Sequence, residues 1–216
     1  MITRIVMAPR RAGLDIEVFQ GHWYSQHGPL VAGLRNIRRL WQHHAVLRAG
    51  EPLLPWPGFD ACSEMDFEDA EALQAAFSEE HYPRELRQDS RDLVDIDRAG
   101  FMLAEREHIS GTIDTARIRL TTFMRRAPGR TQAELAAALR EAEKASGAHA
   151  REIYLAFDLP NQPPSSFDAA DAQWFETPER AERYVLSSAA REHRYGLAHV
   201  VRGVERVISR VRAILQ

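Results

Sequence analysis

The chain has little cysteine, no long apolar run and no block of one charge, and each absence excludes a class of protein. Its one cysteine, Cys62, has no partner for an internal disulfide and no metal-type spacing. No apolar stretch approaches the length of a membrane span. Lys and Arg total 28 against 31 Asp and Glu, without a basic cluster. We therefore expect a soluble cytoplasmic protein with no membrane or nucleic-acid partner.

Motifs that mark cofactor sites are also missing. There is no phosphate loop, nucleotide fingerprint, nucleophile elbow or flavin motif. His22 and His27 are five apart, which places them on different faces of a helix, and the adjacent His43 and His44 point to opposite sides of a strand. The sequence therefore predicts no metal site and no cofactor.

The residues that are present predict alternating strands and helices. The 216 residues, 44% of them hydrophobic, suffice for one large domain or two of about 100 residues each. Alternation and turn signals predict strands over residues 2–8, 37–47, 59–67, 100–109, 116–125, 151–159, 167–175 and within 200–214. Helices are predicted from the N-cap Asp15, over 68–77 and 131–146, and from the N-cap Thr177 to about 190, with a loop over 50–58.

The predicted order is strand, helix, strand, strand, helix, strand, and it occurs twice. That order is typical of a ferredoxin-like domain. Phe59-Asp60-Ala61 and the residues after it echo Phe167-Asp168-Ala169 in the second half. We predict an α+β protein of two tandem ferredoxin-like domains, residues 1–110 and a diverged copy over 115–216. Each four-stranded antiparallel sheet has one bare apolar face, so the two sheets are expected to pair into an α+β barrel.

One helical stripe carries the best candidate site. Phe19, Trp23 and His27 are spaced by four, which places them along one apolar face of the first helix. Gly28-Pro29 loosens the helix directly after His27. A histidine on such a face is either a core residue with a satisfied hydrogen bond or an acid–base group of a pocket.

Other candidate residues lie on the second strand and near the first helix. Gln42 and His44 are two apart, so they face the same side of the strand. If that side faces a pocket, His44 is a second acid–base group and Gln42 anchors a carbonyl or hydroxyl; otherwise His44 is an exposed strand residue. Further candidates for substrate binding are Trp23, Phe19, His22, Tyr24, and Asp95 as a partner that orients a histidine.

These residues carry a family resemblance. The motifs are Phe19-x-x-His22-Trp23-x-x-x-His27-x-Pro29-Leu30, Arg39-Leu40-Trp41-Gln42-His43-His44, and Phe59-Asp60 leading to Met65-x-Phe67 and a short helix. Most of residues 1–110 resembles the EthD-like branch of the dimeric α+β barrel proteins. The resemblance implies a ferredoxin-like fold, a barrel of paired sheets and a small-molecule pocket between sheet and helices. It leaves open a haem role and a homodimer of the tandem barrel.

The chain departs from the family pattern at two places. The helix of the second copy reads Thr-Gln-Ala-Glu-Leu-Ala-Ala-Ala-Leu-Arg and has no counterpart of His27, which predicts one working pocket. Leu40 occupies a position where the family usually has tyrosine. The helix of the second copy forms without a histidine, so the fold alone does not require His27.

The leading hypothesis is a cofactor-independent enzyme that acts on a small cyclic or aromatic-derived metabolite by proton transfer, as in isomerisation, dehydration or another elimination. His27 moves the proton, and His44 or Gln42 stabilises the oxyanion. One alternative is a cofactor-free oxygenase of a phenolic or polyketide-type substrate. The other is a non-catalytic small-molecule-binding or accessory protein.

Overall fold

A computed structural model describes residues 1–54, 59–78, 82–113, 117–142, 144–160 and 162–215. Trp56 and the rest of residues 55–58 in the predicted loop lie outside this part of the chain. In the described ranges, no helix is both long enough and apolar enough to cross a membrane.

Ten strands are present in the described residues. They are β1 Ile2–Ala8, β2 Arg39–Ala45, β3 Leu47–Arg48, β4 Glu51–Pro52, β5 Ala61–Phe67, β6 Gly100–Gly111, β7 Ile118–Arg126, β8 Ala150–Ala156, β9 Ala169–Phe175 and β10 Val201–Leu215. Eight of them form a closed antiparallel barrel in the order β1-β5-β2-β10-β7-β9-β8-β6, while β3 and β4 pair separately. Each predicted long strand is present, with its limits shifted by a few residues.

The helices lie between these strands. They are α1 Ile16–His22, a π-helix Trp23–His27, α2 Gly28–Ala32, α3 Ala70–Ala76, α4 Arg84–Leu93, a 3₁₀ turn Ile96–Arg98, α5 Gln132–Glu141, α6 Pro178–Leu186 and α7 Ser188–Leu197. Local capping explains where several begin. The Asp15 carboxylate accepts hydrogen bonds from the backbone N–H groups of Glu17 and Val18. Thr131 and Glu134 form the predicted capping box.

Each half of the barrel has the ferredoxin-like strand order. The first half runs β6-β1-β5-β2 and the second β8-β9-β7-β10, and the pairs β2–β10 and β6–β8 join them into one barrel. The α+β class and the paired-sheet barrel are confirmed. The domain limits at residues 110 and 115 stay predictions.

Two helix predictions are wrong in extent. The helix expected over 131–146 ends at Glu141, because the buried Arg151 guanidinium donates to the carbonyls of Leu139 at 2.6 Å and Ala142 at 2.5 Å. The helix expected from Thr177 to about 190 breaks at Ser187, whose side chain caps α7 by accepting from Ala190 N–H. The strand predicted over 100–109 continues to Gly111.

The barrel interior is apolar at one end and charged at the other. Ile5, Met7, Phe123 and Phe167 pack together at the apolar end. Towards the other end, the fully buried Glu64 accepts from Arg119 Nη1 at 2.7 Å and from the Tyr154 hydroxyl at 3.1 Å, and it also pairs with Arg39. The expectation of wholly apolar inner faces is therefore wrong at this end. A buried carboxylate there needs cationic partners.

The helices cover the outer faces of the barrel. On the first half, α1, the π-helix, α2 and α4 contact the sheet through apolar side chains such as Phe19, Trp23 and Leu86. The outer side chains of β1 and β5 alternate with those that fill the interior. This arrangement places the predicted stripe against the sheet and leaves a cavity beside it.

Candidate active site

A cavity of about 160 Å³ lies between the outer face of the first sheet and its helices. An apolar cavity of about 150 Å³ holds a benzene-sized molecule, so this one has room for a single ring. β1 and β5 form its floor, and the π-helix, α2 and α4 its walls. The lining residues with polar groups include Arg4, Trp23, His27 and Ser63.

The π-helix positions His27 in this cavity. Pro29 has no N–H to continue the α-helical pattern, and the N–H of Gly28 bonds back to the carbonyl of Trp23, five residues earlier. The same carbonyl accepts a second hydrogen bond of 2.6 Å from Gln42 Nε2 on β2. The predicted irregularity after His27 is therefore one wide turn held to the sheet by Gln42. A π-turn within an α-helix is frequently found at a functional site.

Asp89 orients His27 from α4. The Asp89 carboxylate lies 2.8 Å from His27 Nδ1 and 2.6 Å from His22 Nε2. An ionised carboxylate only accepts hydrogen bonds, so Nδ1 of His27 carries the proton and its Nε2 has a free lone pair. Within the described residues His27 Nε2 makes no hydrogen bond. His27 is thus the tautomer that can take a proton at Nε2.

Burial sets the charge of His27. Only 5% of the residue is exposed. Burial lowers the pKa of His27 from its ordinary value of 6.5, and the hydrogen bond and negative charge of Asp89 oppose that shift. The ring also stacks on Trp23, with centroids 3.9 Å apart and planes inclined by 19°. At neutral pH the imidazole is therefore neutral, rigidly placed and ready to act as a base.

Arg4 places a buried positive charge at the same cavity. Its guanidinium lies over the Phe77 ring at 3.9 Å and near the Phe101 ring at 5.0 Å. Burial lowers the pKa of Arg4 to about 10, so it stays charged at neutral pH. In the described part of the chain Arg4 has no carboxylate partner, and its Nε makes no hydrogen bond. Such a cation attracts an anionic group of a ligand.

Two further buried polar groups at the cavity lack a hydrogen bond within the part of the chain that the structure describes. Ser63 Oγ and Trp23 Nε1 are buried without a hydrogen bond in the described residues, and both residues line the cavity. Buried polar groups are normally satisfied, and an exception calls for an explanation such as a bound molecule. Together with His27 Nε2 and Arg4 Nε, they give the cavity four groups that a polar ligand could satisfy.

The predicted site residues differ in their relation to the cavity. Trp23 and His27 line the cavity, whereas Gln42 and His44 lie behind the π-helix. His44 Nε2 is 3.2 Å from Gln42 Oε1, and burial, reinforced by Arg212 and His43, lowers the pKa of His44 to about 3. The Gln42 amide is engaged with a backbone carbonyl, so these two residues hold the turn that carries His27.

The remaining predicted residues lie around the cavity without lining it. Phe19 is buried against Trp23, with ring centroids 5.5 Å apart, and Tyr24 is 42% exposed with its ring nearly perpendicular to that of His44. His22 reaches the cavity residue His27 only through Asp89. Asp95 lies 3.9 Å from Arg98, and the carboxylate that orients the histidines is Asp89.

Sequence reasoning missed Arg4, Ser63 and Asp89. The sequence does contain a signal for Arg4, since it is a charged residue within a largely apolar strand. Charged side chains are rarely fully buried unless they are paired. Asp89 lies in an acidic stretch with Asp92, Asp95 and Asp97, a pattern typical of a solvated surface. Its contact with His27 spans 62 positions, which no local pattern reports.

Neither a metal ion nor haem fits the described residues at this cavity. Among the described residues no group of three or more His, Cys, Asp or Glu side chains is placed to hold a metal ion. Haem is a macrocycle of four pyrrole rings, and a cavity of about 160 Å³ has room for one ring. Haem therefore does not fit beside His27.

Comparison with known proteins finds one family model that matches part of the chain. Residues 11–97 match the family model described as the EthD domain. The match covers less than half of the chain. It contains the π-helix, His27 and Asp89, whereas Arg4 lies just before it and completes the cavity. No curated protein matches the chain in sequence.

Solved structures share the whole fold. An anthrone oxidase-like protein is 12% identical with a TM-score of 0.69, covering 100% of this chain and 93% of its own. A candidate monooxygenase from Fusobacterium nucleatum is 8% identical with a TM-score of 0.60, covering 98% and 93%. Chlorite dismutase from Candidatus Nitrospira defluvii is 12% identical with a TM-score of 0.52, covering 98% and 92%. At these identities the likeness shows the fold of this chain and no activity.

Proposed function

We propose that the EthD domain is the catalytic part of a cofactor-independent enzyme that removes a proton from a small cyclic or aromatic-derived metabolite. The supporting observation is the pairing of a buried base with a buried cation in one cavity: His27, oriented by Asp89, and Arg4, held between aromatic rings. A cavity sized for one ring limits the part of the substrate that enters it.

The proposed step moves one proton. Nε2 of His27 takes a proton from an acidic carbon or hydroxyl of the substrate, and the electron pair stays on the substrate, delocalised onto an oxygen beside Arg4. In an isomerisation, His27 returns the proton to another carbon. In a dehydration, it gives the proton to a leaving hydroxyl, which departs as water.

A second candidate function starts from the same anion. A phenolate or enolate formed at this site can pass electrons to molecular oxygen, which is the reaction class of a cofactor-free oxygenase. The fold shared with an anthrone oxidase-like protein and a candidate monooxygenase favours testing it. Oxygen consumption that depends on substrate would assign the oxygenase; proton exchange or product formation without oxygen uptake would assign the isomerase or lyase.

Hydrogen–deuterium exchange tests the shared step before the product is known. A panel of cyclic ketones, lactones, phenols and anthrones is incubated with the full chain in deuterium oxide, and loss of the signal of the acidic carbon-bound proton is followed by NMR. We expect exchange with at least one compound, and an approximately 10²–10⁴-fold slower rate with His27→Gln, because the base is removed. Arg4→Met should also slow exchange, since the anion loses its cation.

The control is His108→Gln, which removes an exposed histidine on β6, away from the cavity. Circular dichroism and thermal unfolding verify that each variant is folded. Saturable binding of a compound without exchange, turnover or oxygen uptake would support the non-catalytic alternative and contradict the proposal. Exchange at the wild-type rate in folded His27→Gln would also contradict it.

A further inference from the structure

The second half of the barrel contains a cavity of its own. It has a volume of about 260 Å³ and lies between the outer faces of β7, β9 and β10 and helices α6 and α7. Leu120, Met124 and Leu197 give it apolar walls, and its rim includes the exposed Arg202 and the 39% exposed Val204. All of it lies outside residues 11–97, which match the EthD domain.

The carboxylate at this cavity is already neutralised. Asp171 accepts from Arg151 Nε at 2.9 Å and from Gln173 Nε2 at 3.1 Å, and it lies 3.4 Å from His193 Nε2. Burial would raise the pKa of Asp171, but His193 and Arg151 lower it below its ordinary value, so the group is ionised. The negative charge of Asp171 is therefore already balanced and does not neutralise other cations at the cavity.

Two arginines at the cavity have no such compensation. Arg194 on α7 and Arg206 on β10 both line it and are both half-buried. Neither has an ion pair within the described residues, and Arg194 Nη1 is buried without a hydrogen-bond partner. Burial and the neighbouring charge of Arg194 lower the pKa of Arg206. Two unpaired cations beside apolar walls form an arrangement that an anion would stabilise.

We propose that this cavity binds a small amphiphilic anion, namely a carboxylate with a short apolar chain, separately from the cavity at His27. The carboxylate pairs with Arg194 and Arg206, while His193 Nε2 stays beside Asp171 at 3.4 Å. The chain packs on Leu120, Met124 and Leu197. The sequence predicts a single working pocket because the helix of the second half has no counterpart of His27. The cavity of the second half does contain a histidine, His193, but it lies on α7.

Titration calorimetry with sodium hexanoate tests the site in the full chain. We expect saturable binding of one hexanoate at this cavity. Hexan-1-ol, which has the same chain without the charge, and acetate, which has the charge without the chain, should bind at least tenfold more weakly. Arg194→Gln and Arg206→Gln should each weaken hexanoate binding by about tenfold or more, since a hydrogen bond to a charged group contributes about 1.5–3 kcal/mol. Arg191→Gln, an exposed position on α7 outside the cavity, is the matched control and should bind like wild type.

Thermal unfolding gives a second measurement that does not depend on heat of binding. Without ligand, Arg206→Gln should be at least as stable as wild type because the repulsion from Arg194 is relieved, and hexanoate should raise the Tm of wild type more than that of the variant. Equal binding of hexan-1-ol, or unchanged hexanoate binding in the folded Arg194→Gln/Arg206→Gln double variant, would overturn the proposal. Loss of binding in Arg4→Met alone would place hexanoate at the other cavity and would overturn it too.

Discussion

Asp89 shows how much of the candidate chemistry depends on one side chain. Its two oxygens accept hydrogen bonds from two histidines of the same helical segment, His22 and His27. The contact with His27 fixes the ring and its tautomer, and the contact with His22 fixes the carboxylate. Without Asp89, His27 would remain in the cavity but would have no reason to keep Nε2 unprotonated.

Asp89→Asn keeps His27 but removes the carboxylate that orients its ring, so it tests the orientation of the base separately from its presence. The amide can donate to His27 Nδ1, which moves the ring proton to Nε2 and removes the lone pair that takes the substrate proton. We expect deuterium exchange to slow by about 10²–10⁴-fold. Asp89 raises the pKa of His27, so its loss should also move the acidic limb of the residual activity to lower pH. Rates across pH measure both effects.

The matched control is Asp92→Asn on the same helix, because Asp92 is exposed and accepts from Gln88 Nε2 at 3.0 Å, away from the histidines. It should retain wild-type exchange. Full activity in a folded Asp89→Asn variant would mean that Asp89 does not orient the base.

At the scale of elements, the π-helix depends on close packing between Gly28 and Gln42. A Cβ added at Gly28 would lie 2.9 Å from Gln42 Nε2, closer than real contacts allow. That amide donates to the Trp23 carbonyl and contacts His44, so it has little room to move. Glycine is required here by the approach of β2 and not by its backbone angle, which is helical at φ −56°.

Two glycine substitutions, one in α2 and one in α1, should therefore have opposite effects. Gly28→Ala should lower the free energy of unfolding by about 1–2 kcal/mol, because the clash displaces the Gln42 hydrogen bond. Gly21→Ala in α1 meets no atom within 4 Å and should raise it by about 0.5–1 kcal/mol through helix propensity. Urea unfolding measures both changes. In a Gln42→Ala background the cost of Gly28→Ala should disappear; equal costs in both backgrounds would exclude this contact as the cause.

Matching contacts in the two halves support the prediction of a repeated unit. Gln20 Nε2 donates to the carbonyls of Ala45 and Asp60, and Gln132 Nε2 donates to those of Ala156 and Asp168. The aspartates of the echoed Phe-Asp-Ala sequences thus anchor a helix to the sheet in each half. The same bonds are made although Gln20 and Gln132 occupy different helical positions.

At the scale of the whole molecule, closing the barrel buries titratable groups that no local pattern would bury. His43 points into the charged end, where its Nε2 lies 3.1 Å from Glu64 Oε2. Burial and the nearby Arg119 lower the pKa of His43 from 6.5 to about 4. The folded protein therefore keeps His43 neutral at a pH where the unfolded chain is protonated.

This difference predicts acid sensitivity with a defined window. Above pH 6.5 neither state protonates His43; as pH falls from 6.5 to about 4 only the unfolded state binds the proton, so stability declines. The contribution is on the order of 3 kcal/mol at the lower limit, from about 1.4 kcal/mol for each pKa unit. Urea unfolding from pH 7 to 4.5 should show a flatter pH dependence for His43→Leu or His43→Asn than for wild type. Parallel curves for wild type and both variants would contradict the assignment.

Much of the fold was predictable because strands and helices leave local periods in a sequence. The long strands, the caps Asp15 and Thr131, and the irregularity at Gly28-Pro29 each depend on residues within a few positions. The premature end of α5 was not predictable, because it depends on Arg151 arriving from a later strand. The break at Ser187 had only a weak local signal, a serine that can cap a helix.

The candidate site divides in the same way. The sequence by itself determined the EthD resemblance, the barrel class and the stripe of Phe19, Trp23 and His27, since helical periodicity is a local property. Only the tertiary structure decided that Asp89 is the partner of His27, that Arg4 shares its cavity, and that His44 supports the turn from behind. The physical reason is that partners and burial depend on which distant segments pack together, and closing an eight-stranded barrel sets that packing.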